Sequence, residues 1–425
     1  MRQAPPKKNP QKPQPQTMPP QGQNPPPKQE PTRPLQRHRA GLHMATTLSA
    51  LLSLPSVWPS LKNALPSLSP APLARLAELS AAHPDLAPYL TREMALRARD
   101  FMKGVALYRD HPAQRGAETA PVIWRSGSTF LRDYAPDAPN APPVLVVPSL
   151  INRFTILDLQ PDHSFIRFLA ALGFRPLVVD WDEPTEQEKH FTLGDYVTQR
   201  LIPALDIAAA AQPAHIVGYC MGGVLALALA ALRPACTRSL TLLATPWDFH
   251  AGYDAMGQDG KTLEEKLKFW LSGDDFLPIE IVQGVFTSFQ PLHAFRKFSA
   301  FTAYDQDSPQ ATRFVLTEDW LNDGVPLTIP AARECFGDWC TRNMTAKNEW
   351  RVDGVLIDPR QVTVPTYVVV PGRDRIVPPQ SAMPLAQALP HAMRHEPMMG
   401  HIGIMASPSA PYQVWKPLAG WLATH

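Results

Sequence analysis

One stretch of the sequence, residues 214–230, constrains the fold more than any other part of the chain. Ile216 and Val217 are apolar and β-branched, as expected of a buried strand, and the run from Val224 is rich in Ala and Leu, which favour a helix. Between them lies the motif Gly218-x-Cys220-x-Gly222-Gly223. It predicts a sharp strand-turn-helix element in which glycines permit close backbone approach around a nucleophilic cysteine. A small buried cysteine before a glycine-rich helix start is the alternative interpretation.

Two further motifs supply the partners that a thiol nucleophile needs. A base must take the thiol proton, and an acid must orient the base. Asp374 follows an apolar run in a tight loop, and His401 lies in a glycine-flanked loop near the end of the chain. The order nucleophile, acid, histidine is that of the α/β-hydrolases. We therefore predict that Cys220, Asp374 and His401 form a catalytic triad.

The tetrahedral intermediate of acyl transfer needs two backbone N–H donors for its oxyanion. One is expected from Met221, the residue after the nucleophile, and the other from the loop that follows an early strand. Within that loop, residues 148–153, we predict Ile151 as the donor, with Leu150 as the next choice.

Strands alternate with helices along the centre of the chain. A hairpin is expected at 122–134, with Gly127 in its turn. The predicted buried strands are 144–147, 175–180, 215–218, 240–244 and 366–370, and the predicted helices are 164–172 and 193–211. Alternation of this kind predicts an α/β fold of the α/β-hydrolase type, with a mostly parallel sheet, helices on both faces and a helical lid insertion. The active site is expected at the carboxyl ends of the strands.

Composition divides the chain into four parts. Residues 1–43 form a disordered basic tail, since the first 40 residues hold 12 of the 49 prolines and no apolar core. Residues 44–115 have a helical apolar pattern and either pack on the main domain or meet a partner. The hydrolase core is expected at 116–248 and 361–425. The aromatic-rich interval 249–360 is expected to be a lid over the site, a subdomain with its own core, or both.

The formal net charge of +2 combines a basic tail with a mildly acidic folded part. Such a tail is expected to contact nucleic acid, an anionic granule surface or a membrane, or to act as a solvated spacer, or to precede a later start at Met44. No apolar run is long enough to span a membrane and no secretory signal is evident, so we expect a cytoplasmic protein. Cys236, Cys335 and Cys340 lack metal-like spacing and are interpreted as structural thiols.

The chain resembles the polyhydroxyalkanoate synthases of class I and class III, from about residue 100 to 422. The motifs that carry this resemblance are at 148–160, 179–184, 191–196, 218–223, 245–249, 320–326, 374–379 and 400–403. Asp182 stands where class III relatives usually have glycine. The length of 425 residues falls between those of the two classes.

The resemblance implies a substrate, (R)-3-hydroxyacyl-CoA, that is polymerised into polyester with release of coenzyme A. It implies that His401 takes the proton of Cys220, and that His401 or Asp374 activates the next 3-hydroxyl group. No metal and no organic cofactor are implied. Asn152 and Asp158 match positions near the site, where they contact substrate or cap a loop. The implied partners are a polyester granule surface and either a homodimer or a second synthase subunit, without nucleic acid.

Two other functions are compatible with these residues. An intracellular polyhydroxyalkanoate depolymerase or thioesterase transfers the acyl group to water through the same triad. Cysteine in place of serine, and an aromatic-rich insertion that excludes water, favour transfer to a hydroxyl group. An inactive granule-associated scaffold is the second alternative, and the intact triad argues against it.

Overall fold

The structure is a computed structural model of the chain. It describes residues 86–252, 268–273, 275–289 and 293–425, besides the isolated residues 78, 82 and 83. The predicted basic tail, and nearly all of the predicted helical region before residue 86, lie outside the described residues.

Strands are numbered in chain order within this part of the chain. They are β1 (Val122–Ser126), β2 (Thr129–Asp133), β3 (Pro143–Val147), β4 (Asp158–Gln160), β5 (His163–Ser164), β6 (Arg175–Trp181), β7 (Ala214–Tyr219), β8 (Thr237–Leu243), β9 (Phe276–Leu277), β10 (Leu327–Thr328), β11 (Arg351–Val352), β12 (Val355–Leu356), β13 (Thr366–Val369) and β14 (Ala392–His395).

Eight of these strands form one sheet, in the order β1-β2-β6-β3-β7-β8-β13-β14. All neighbouring pairs from β6 to β14 are parallel, whereas β2 runs antiparallel to both β1 and β6. The mostly parallel sheet and its opening hairpin are therefore confirmed. Gly127 has a φ of +55° in the hairpin turn, a conformation that glycine adopts without steric cost.

The edge strand β14 is not among the strands predicted from the sequence. Its four residues, Ala392–His395, are partly exposed and pair only with β13. Alanine, arginine and histidine have no strong preference for strands, so only pairing with a buried neighbour identifies this element.

Helices are numbered in the same way. They are α1 (Leu86–Asp110), α2 (Phe165–Ala171), α3 (Leu193–Tyr196), α4 (Ile202–Ala208), α5 (Met221–Leu232), α6 (Ile279–Phe289), α7 (His293–Phe301), α8 (Pro309–Asn322), α9 (Ile329–Arg333), α10 (Pro379–Ala388), α11 (Gly403–Ala406) and α12 (Lys416–Leu422). Segments of π-helix cover Val197–Leu201, Glu334–Thr341 and Pro411–Trp415.

The helix predicted at 193–211 is interrupted and ends earlier than expected. A π-helical segment, Val197–Leu201, separates α3 from α4, which ends at Ala208. Ile202 donates its N–H to the carbonyl of Val197, five residues back, and Pro203 follows without an N–H of its own. The proline removes one helical hydrogen bond and favours this wider turn.

Apolar residues cover both faces of the central strands. In β3, Leu145 and Val147 belong to the core under α5, whereas Val144 and Val146 pack with Phe165 on the opposite face. This alternation follows the two-residue period of a strand. The predicted helices on both faces are confirmed.

The insertion between β8 and β13 contains α6, α7, α8 and α9. Phe336, Trp339 and Trp350 of this insertion belong to the same buried cluster as α5 of the hydrolase core. The sheet and this part of the insertion therefore share one buried cluster.

Helix α1 packs on the insertion. Phe101 and Tyr108 of α1 form a separate buried cluster with Phe298 and Phe301 of α7. Gly104 lies against the backbone of Phe298, where a Cβ atom has no room. The apolar face of α1 predicted from its spacing is thus covered by the insertion.

Within the described ranges, no helix combines the length and the apolar character that crossing a bilayer requires.

Candidate active site

Cys220 lies in the turn between β7 and α5, at the carboxyl end of a central strand. Its backbone has a φ of 56° and a ψ of −128°, a region that residues with a side chain rarely adopt. Its N–H donates to the carbonyl of Leu243 on β8 (2.8 Å), and its own carbonyl accepts from the N–H of Gly223 (2.9 Å). These bonds hold the strained turn while the cysteine stays partly exposed.

Glycines let this turn pack against its neighbours. A Cβ atom on Gly222 would meet the carbonyl oxygens of Val147 and Pro148, and one on Gly223 would meet the side chain of Thr245. The loop that follows β3 is therefore in direct contact with the start of α5, as an oxyanion site requires.

His401 and Asp374 are brought together from two separate loops. The Nδ1 atom of His401 lies 2.7 Å from Oδ2 of Asp374, and both side chains are buried. The other oxygen, Oδ1, accepts from the N–H groups of Ile376 and Val377, each at 2.8 Å. Asp374 is thus fixed by its own loop and orients the imidazole, as the acid of a triad does.

The charges around His401 favour its imidazolium form. Burial acts against a charged ring, but Asp374 and the thiolate form of Cys220 outweigh it and raise the pKa of His401 well above its usual value. A hydrogen bond between His401 and Cys220 contributes to the same shift. The electrostatics of the site therefore favour a protonated His401.

The two predicted oxyanion donors occupy suitable positions. Met221 is the first residue of α5, and the first N–H groups of a helix have no acceptor within it. The N–H of Ile151 donates to Oγ of Ser149 at 3.3 Å, a long bond that a better acceptor can replace. Asn152, next to Ile151, forms an isolated bridge with Gly324 of the insertion. The catalytic and oxyanion roles of these residues stay predictions.

Asp158 is buried and bonded to side chains of the chain itself. Its carboxylate accepts from Arg167 at 2.9 and 3.1 Å, from Tyr134 at 2.9 Å and from Arg115 at 3.3 Å. Burial acts against its charge, but the bonds from Arg167 and the nearby arginines outweigh it and lower its pKa. These contacts support the loop-capping interpretation, and substrate contact by Asp158 stays a prediction.

Tyr219 lies next to the predicted catalytic residues but is not among the site residues predicted from the sequence. Its hydroxyl donates to the carbonyl of His401 at 3.3 Å, and its ring lies 5.3 Å from the imidazole ring. Burial, with the charges of Cys220 and Asp374, raises the pKa of this phenol well above its usual value. The only feature of the sequence that pointed to Tyr219 was its position directly before Cys220 in the motif.

Cys335 lies in the π-helix of the insertion and is buried. A hydrogen bond with Cys340 and burial raise the pKa of its thiol, and the charge of Cys220 adds to this effect. The insertion thus reaches the surroundings of the nucleophile. Among the described residues, no group of three or more His, Cys, Asp or Glu is arranged to hold a metal ion.

Residues 142–408 match the family model described as alpha/beta hydrolase fold. The chain belongs to this family. The fold class predicted from the sequence is thereby confirmed. The strained elbow of this α/β hydrolase, with its His–Asp pair, lies at the carboxyl edge of the sheet, where the fold places its ligands.

This α/β hydrolase is also similar to curated proteins named poly(3-hydroxyalkanoate) polymerase subunit PhaC. The protein of Haloferax mediterranei is 29% identical over 66% of this chain and 58% of its own length. That of Allochromatium vinosum is 26% identical over 78% of this chain and 96% of its own length. The chain thus spans less than two thirds of the first relative and nearly all of the second. The resemblance indicated by the motifs is confirmed.

Among solved structures, this α/β hydrolase is similar to the thioesterase domain from the curacin biosynthetic pathway. The TM-score is 0.45 at 17% identity, and the match covers 73% of this chain and 100% of that domain.

Proposed function

We propose that this α/β hydrolase is a polyhydroxyalkanoate synthase, an acyltransferase that polymerises (R)-3-hydroxyacyl-CoA and releases coenzyme A. The observation that carries the proposal is the buried, hydrogen-bonded His401–Asp374 pair beside a cysteine in a strained elbow. This arrangement supports formation of a thiolate, which is the nucleophilic form of cysteine. The names of the relatives support the choice of substrate.

The first step is acylation of Cys220. Its proton passes to His401, and the thiolate attacks the carbonyl carbon of the substrate thioester. The N–H groups of Met221 and Ile151 stabilise the oxyanion of the tetrahedral intermediate. The bond to the coenzyme A sulfur then breaks, and His401 returns its proton to that sulfur.

The second step is transfer of the acyl group. The 3-hydroxyl oxygen of another hydroxyacyl unit attacks the Cys220 thioester, an ester bond forms, and the cysteine leaves as thiolate. His401 takes the hydroxyl proton. Both oxygens of Asp374 are occupied by His401 and by backbone N–H groups, which supports His401 as the base.

Cysteine suits this sequence of steps. Exchange of one thioester for another is nearly balanced in free energy, so the acyl group stays activated for the next hydroxyl group. Cys220 packs against the buried cluster that contains Cys335 and Phe336 of the insertion, and apolar side chains beside the thiol favour transfer over hydrolysis.

The proposed product also suggests a location. A polyester chain that is held on Cys220 while it grows is apolar and separates from water, so we propose that the enzyme works at the surface of cytoplasmic polyester granules. We further propose that it acts as a homodimer or with a second synthase subunit. Sedimentation of the purified chain, before and after substrate is added, tests self-association.

The proposed activity is tested by incubating the purified chain with (R)-3-hydroxyacyl-CoA substrates of four to ten acyl carbons. Thiol release is followed with a disulfide reagent, and the products are weighed by mass spectrometry. Polyester or oligomers that are absent with Cys220→Ala are the expected result. Free 3-hydroxy acids as the only products identify a hydrolase, and a lack of release with every substrate contradicts the proposal.

A further inference from the structure

The loop predicted to donate to the oxyanion, residues 148–153, lies between two elements. On one side it contacts Gly222 at the start of α5. On the other side it is bonded to residues 320–325 of the insertion, from the end of α8 onwards. We call the loop that carries the predicted donor the 148–153 loop, and the part of the insertion that is bonded to it the 320–325 segment.

Two carbonyl groups of the 148–153 loop accept hydrogen bonds from the 320–325 segment. The N–H of Val325 donates to the carbonyl of Ile151 at 2.8 Å. The indole N–H of Trp320 donates to the carbonyl of Arg153 at 2.7 Å, and Asn152, between these two residues, lies opposite Gly324 in the isolated bridge. The loop is therefore held on both sides of Asn152, directly after the N–H of the predicted donor.

Gly324 makes this approach possible. A Cβ atom at this position would lie 3.1 Å from the carbonyl oxygen of Ile151, and it would overlap the side chain of Ile279. Glycine thus lets the segment and the loop lie this close without displacing the side chain of Ile279.

The side chain of Arg153 joins the same two elements to the sheet. Its Nη2 atom lies 2.9 Å from Oδ1 of Asp182, and its Nε atom lies 3.2 Å from Oδ1 of Asp323. Nη1 also donates to the carbonyl of Trp181, the last residue of β6, at 3.4 Å. The side chain of Arg153 is 17% exposed and that of Asp182 is 26% exposed, so this charge pair is shielded from water better than a surface pair, whereas Asp323 is half exposed. The planar guanidinium fork can hold both carboxylates at once.

Strand β6 also holds the first residue of the 148–153 loop. The indole N–H of Trp181 donates to the carbonyl of Pro148 at 3.3 Å. Ile151 thus lies between one contact to β6 before it and several contacts to the insertion after it. A backbone donor is useful to catalysis only if its direction is set before the oxyanion forms.

We propose that Arg153 is a positioning residue that, with Asp182 and Asp323, holds the 148–153 loop so that the N–H of Ile151 faces the oxyanion. Arg153 itself contacts no reacting atom in this scheme. The insertion thereby takes part in catalysis by fixing an oxyanion donor. The proposal rests on the acyl-transfer chemistry of Cys220 put forward above, but it does not depend on which acyl group is transferred.

The experiment compares two reactions of Cys220 in full-length variants. Acylation by 4-nitrophenyl acetate passes through an oxyanion, and the burst of nitrophenolate reports its rate. Alkylation by iodoacetamide displaces iodide at a saturated carbon and forms no oxyanion, so it reports only the thiolate. Arg153→Met removes the guanidinium group. Arg351→Met is the matched control, since Arg351 is exposed and its Nη1 donates to the carbonyl of Gly354 within the insertion.

We expect Arg153→Met to acylate about 10- to 100-fold more slowly. A misplaced oxyanion donor lowers the acylation rate, but by no more than complete removal of that donor does. Alkylation by iodoacetamide is expected to be unchanged, and Arg351→Met to match the wild type in both reactions. With a hydroxyacyl-CoA substrate, kcat is expected to fall at constant KM, since the interaction exists only in the transition state. Arg153→Lys keeps the charge and is expected to recover part of the rate.

A structural role of Arg153 predicts a different pattern. Acylation and alkylation then fall together, or neither falls, and either outcome overturns the proposal. If Arg153→Met does not fold, Asp323→Asn provides the test, because Asp323 is half exposed and asparagine has the same shape. Acylation is expected to be slower in Asp323→Asn than in the wild type. The double variant with Arg153→Lys is expected to acylate at the same rate as Arg153→Lys alone.

The two proposals fail separately. Wild-type enzyme that releases no coenzyme A from hydroxyacyl-CoA contradicts the proposed function, whereas 4-nitrophenyl acetate still reports on the oxyanion site. Normal polymer synthesis by Arg153→Met contradicts only the positioning role.

Discussion

At the scale of single residues, the proposed chemistry depends on a cysteine held in a strained backbone conformation. The turn at Cys220 is fixed by a hydrogen bond to the neighbouring strand and by adjacent glycines, at which a side chain would clash. Strain of this kind costs about 1–3 kcal/mol and persists only where the surrounding structure imposes it. The fold therefore gives up stability at this residue, which fits the proposed role of Cys220 as the nucleophile.

Replacing Cys220 by glycine is expected to relieve this strain. Cys220→Gly and Cys220→Ala both lack the thiol, so both are expected to be inactive. Only glycine adopts a φ of 56° without a steric penalty, and we expect it to be about 1 kcal/mol more stable than alanine after its greater unfolded-state entropy is counted. Denaturant unfolding of the two variants measures the difference. Equal stabilities would show that the Cβ atom is not the source of the strain.

Asp374→Asn is expected to uncouple the histidine from the thiol. Asparagine still accepts from the N–H groups of Ile376 and Val377, but its amide group cannot accept from His401. Acylation is expected to fall about 10³- to 10⁴-fold, as when the acid of a Ser-His-Asp triad is replaced by its amide.

The same variant is expected to change the pH dependence of Cys220 alkylation. Asp374 raises the pKa of His401 and so stabilises its imidazolium form. Without this carboxylate the imidazolium form is less stable, so His401 loses its positive charge at lower pH and assists the thiol of Cys220 less. The rate of iodoacetamide alkylation is therefore expected to rise at higher pH than in the wild type. Asp358→Asn, which removes a buried carboxylate paired with Arg360, is the control, and an unshifted profile for Asp374→Asn contradicts the assignment.

At the scale of secondary structure elements, helix α1 is docked on the insertion through close backbone contact. Gly104 of α1 lies against the backbone of Phe298, and aromatic side chains surround this point. The ring centroids of Phe101 and Phe298 are 6.1 Å apart with an edge-to-face arrangement. Any side chain at position 104 would therefore push helices α1 and α7 apart.

Gly104→Ala is expected to destabilise the protein by about 1–3 kcal/mol, because the new methyl group meets main-chain atoms that cannot rotate away. Gly420→Ala is the matched control in helix α12, where no atom lies within 4 Å of the added Cβ. That substitution is expected to stabilise the helix by about 0.5–1 kcal/mol. Thermal unfolding of both variants gives the comparison, and a harmless Gly104→Ala would contradict this helix packing.

At the scale of the whole molecule, the sheet and part of the insertion share one buried cluster and one set of polar contacts. Trp339 and Trp350 of the insertion are buried with residues of α5, and the 320–325 segment is bonded to the loop after β3. An insertion with these contacts is expected to lose its structure together with the sheet.

Unfolding of the two parts is therefore expected to coincide. Four of the ten tryptophans, among them Trp320, Trp339 and Trp350, lie in the insertion, so tryptophan fluorescence reports on both parts, and far-ultraviolet circular dichroism reports on the whole chain. We expect the two signals to give the same single midpoint in denaturant, which is the test of a cooperative transition. A fluorescence change in two steps would show that the two parts unfold separately.

Local patterns in the sequence were sufficient for seven of the eight strands of the main sheet and for the pairing of His401 with Asp374, whereas the catalytic roles of Cys220, His401 and Asp374 stay predictions. The elbow, the loop with Asp374 and the loop with His401 each carry their own signal, because glycines and apolar runs act on neighbouring residues. The order of these motifs along the chain then indicated the fold, and with it the edge of the sheet where they meet.

Contacts between distant residues required the tertiary structure. Periodicity showed that α1 has an apolar face but not that α7 covers it, and Asp158 gave no sign of its bonds to Arg115 and Arg167. The bonds from Arg153 to Asp182 and Asp323 likewise join residues 29 and 170 positions apart. A sequence pattern shows which side of an element is buried or which group carries charge, whereas the partner depends on how the whole chain packs.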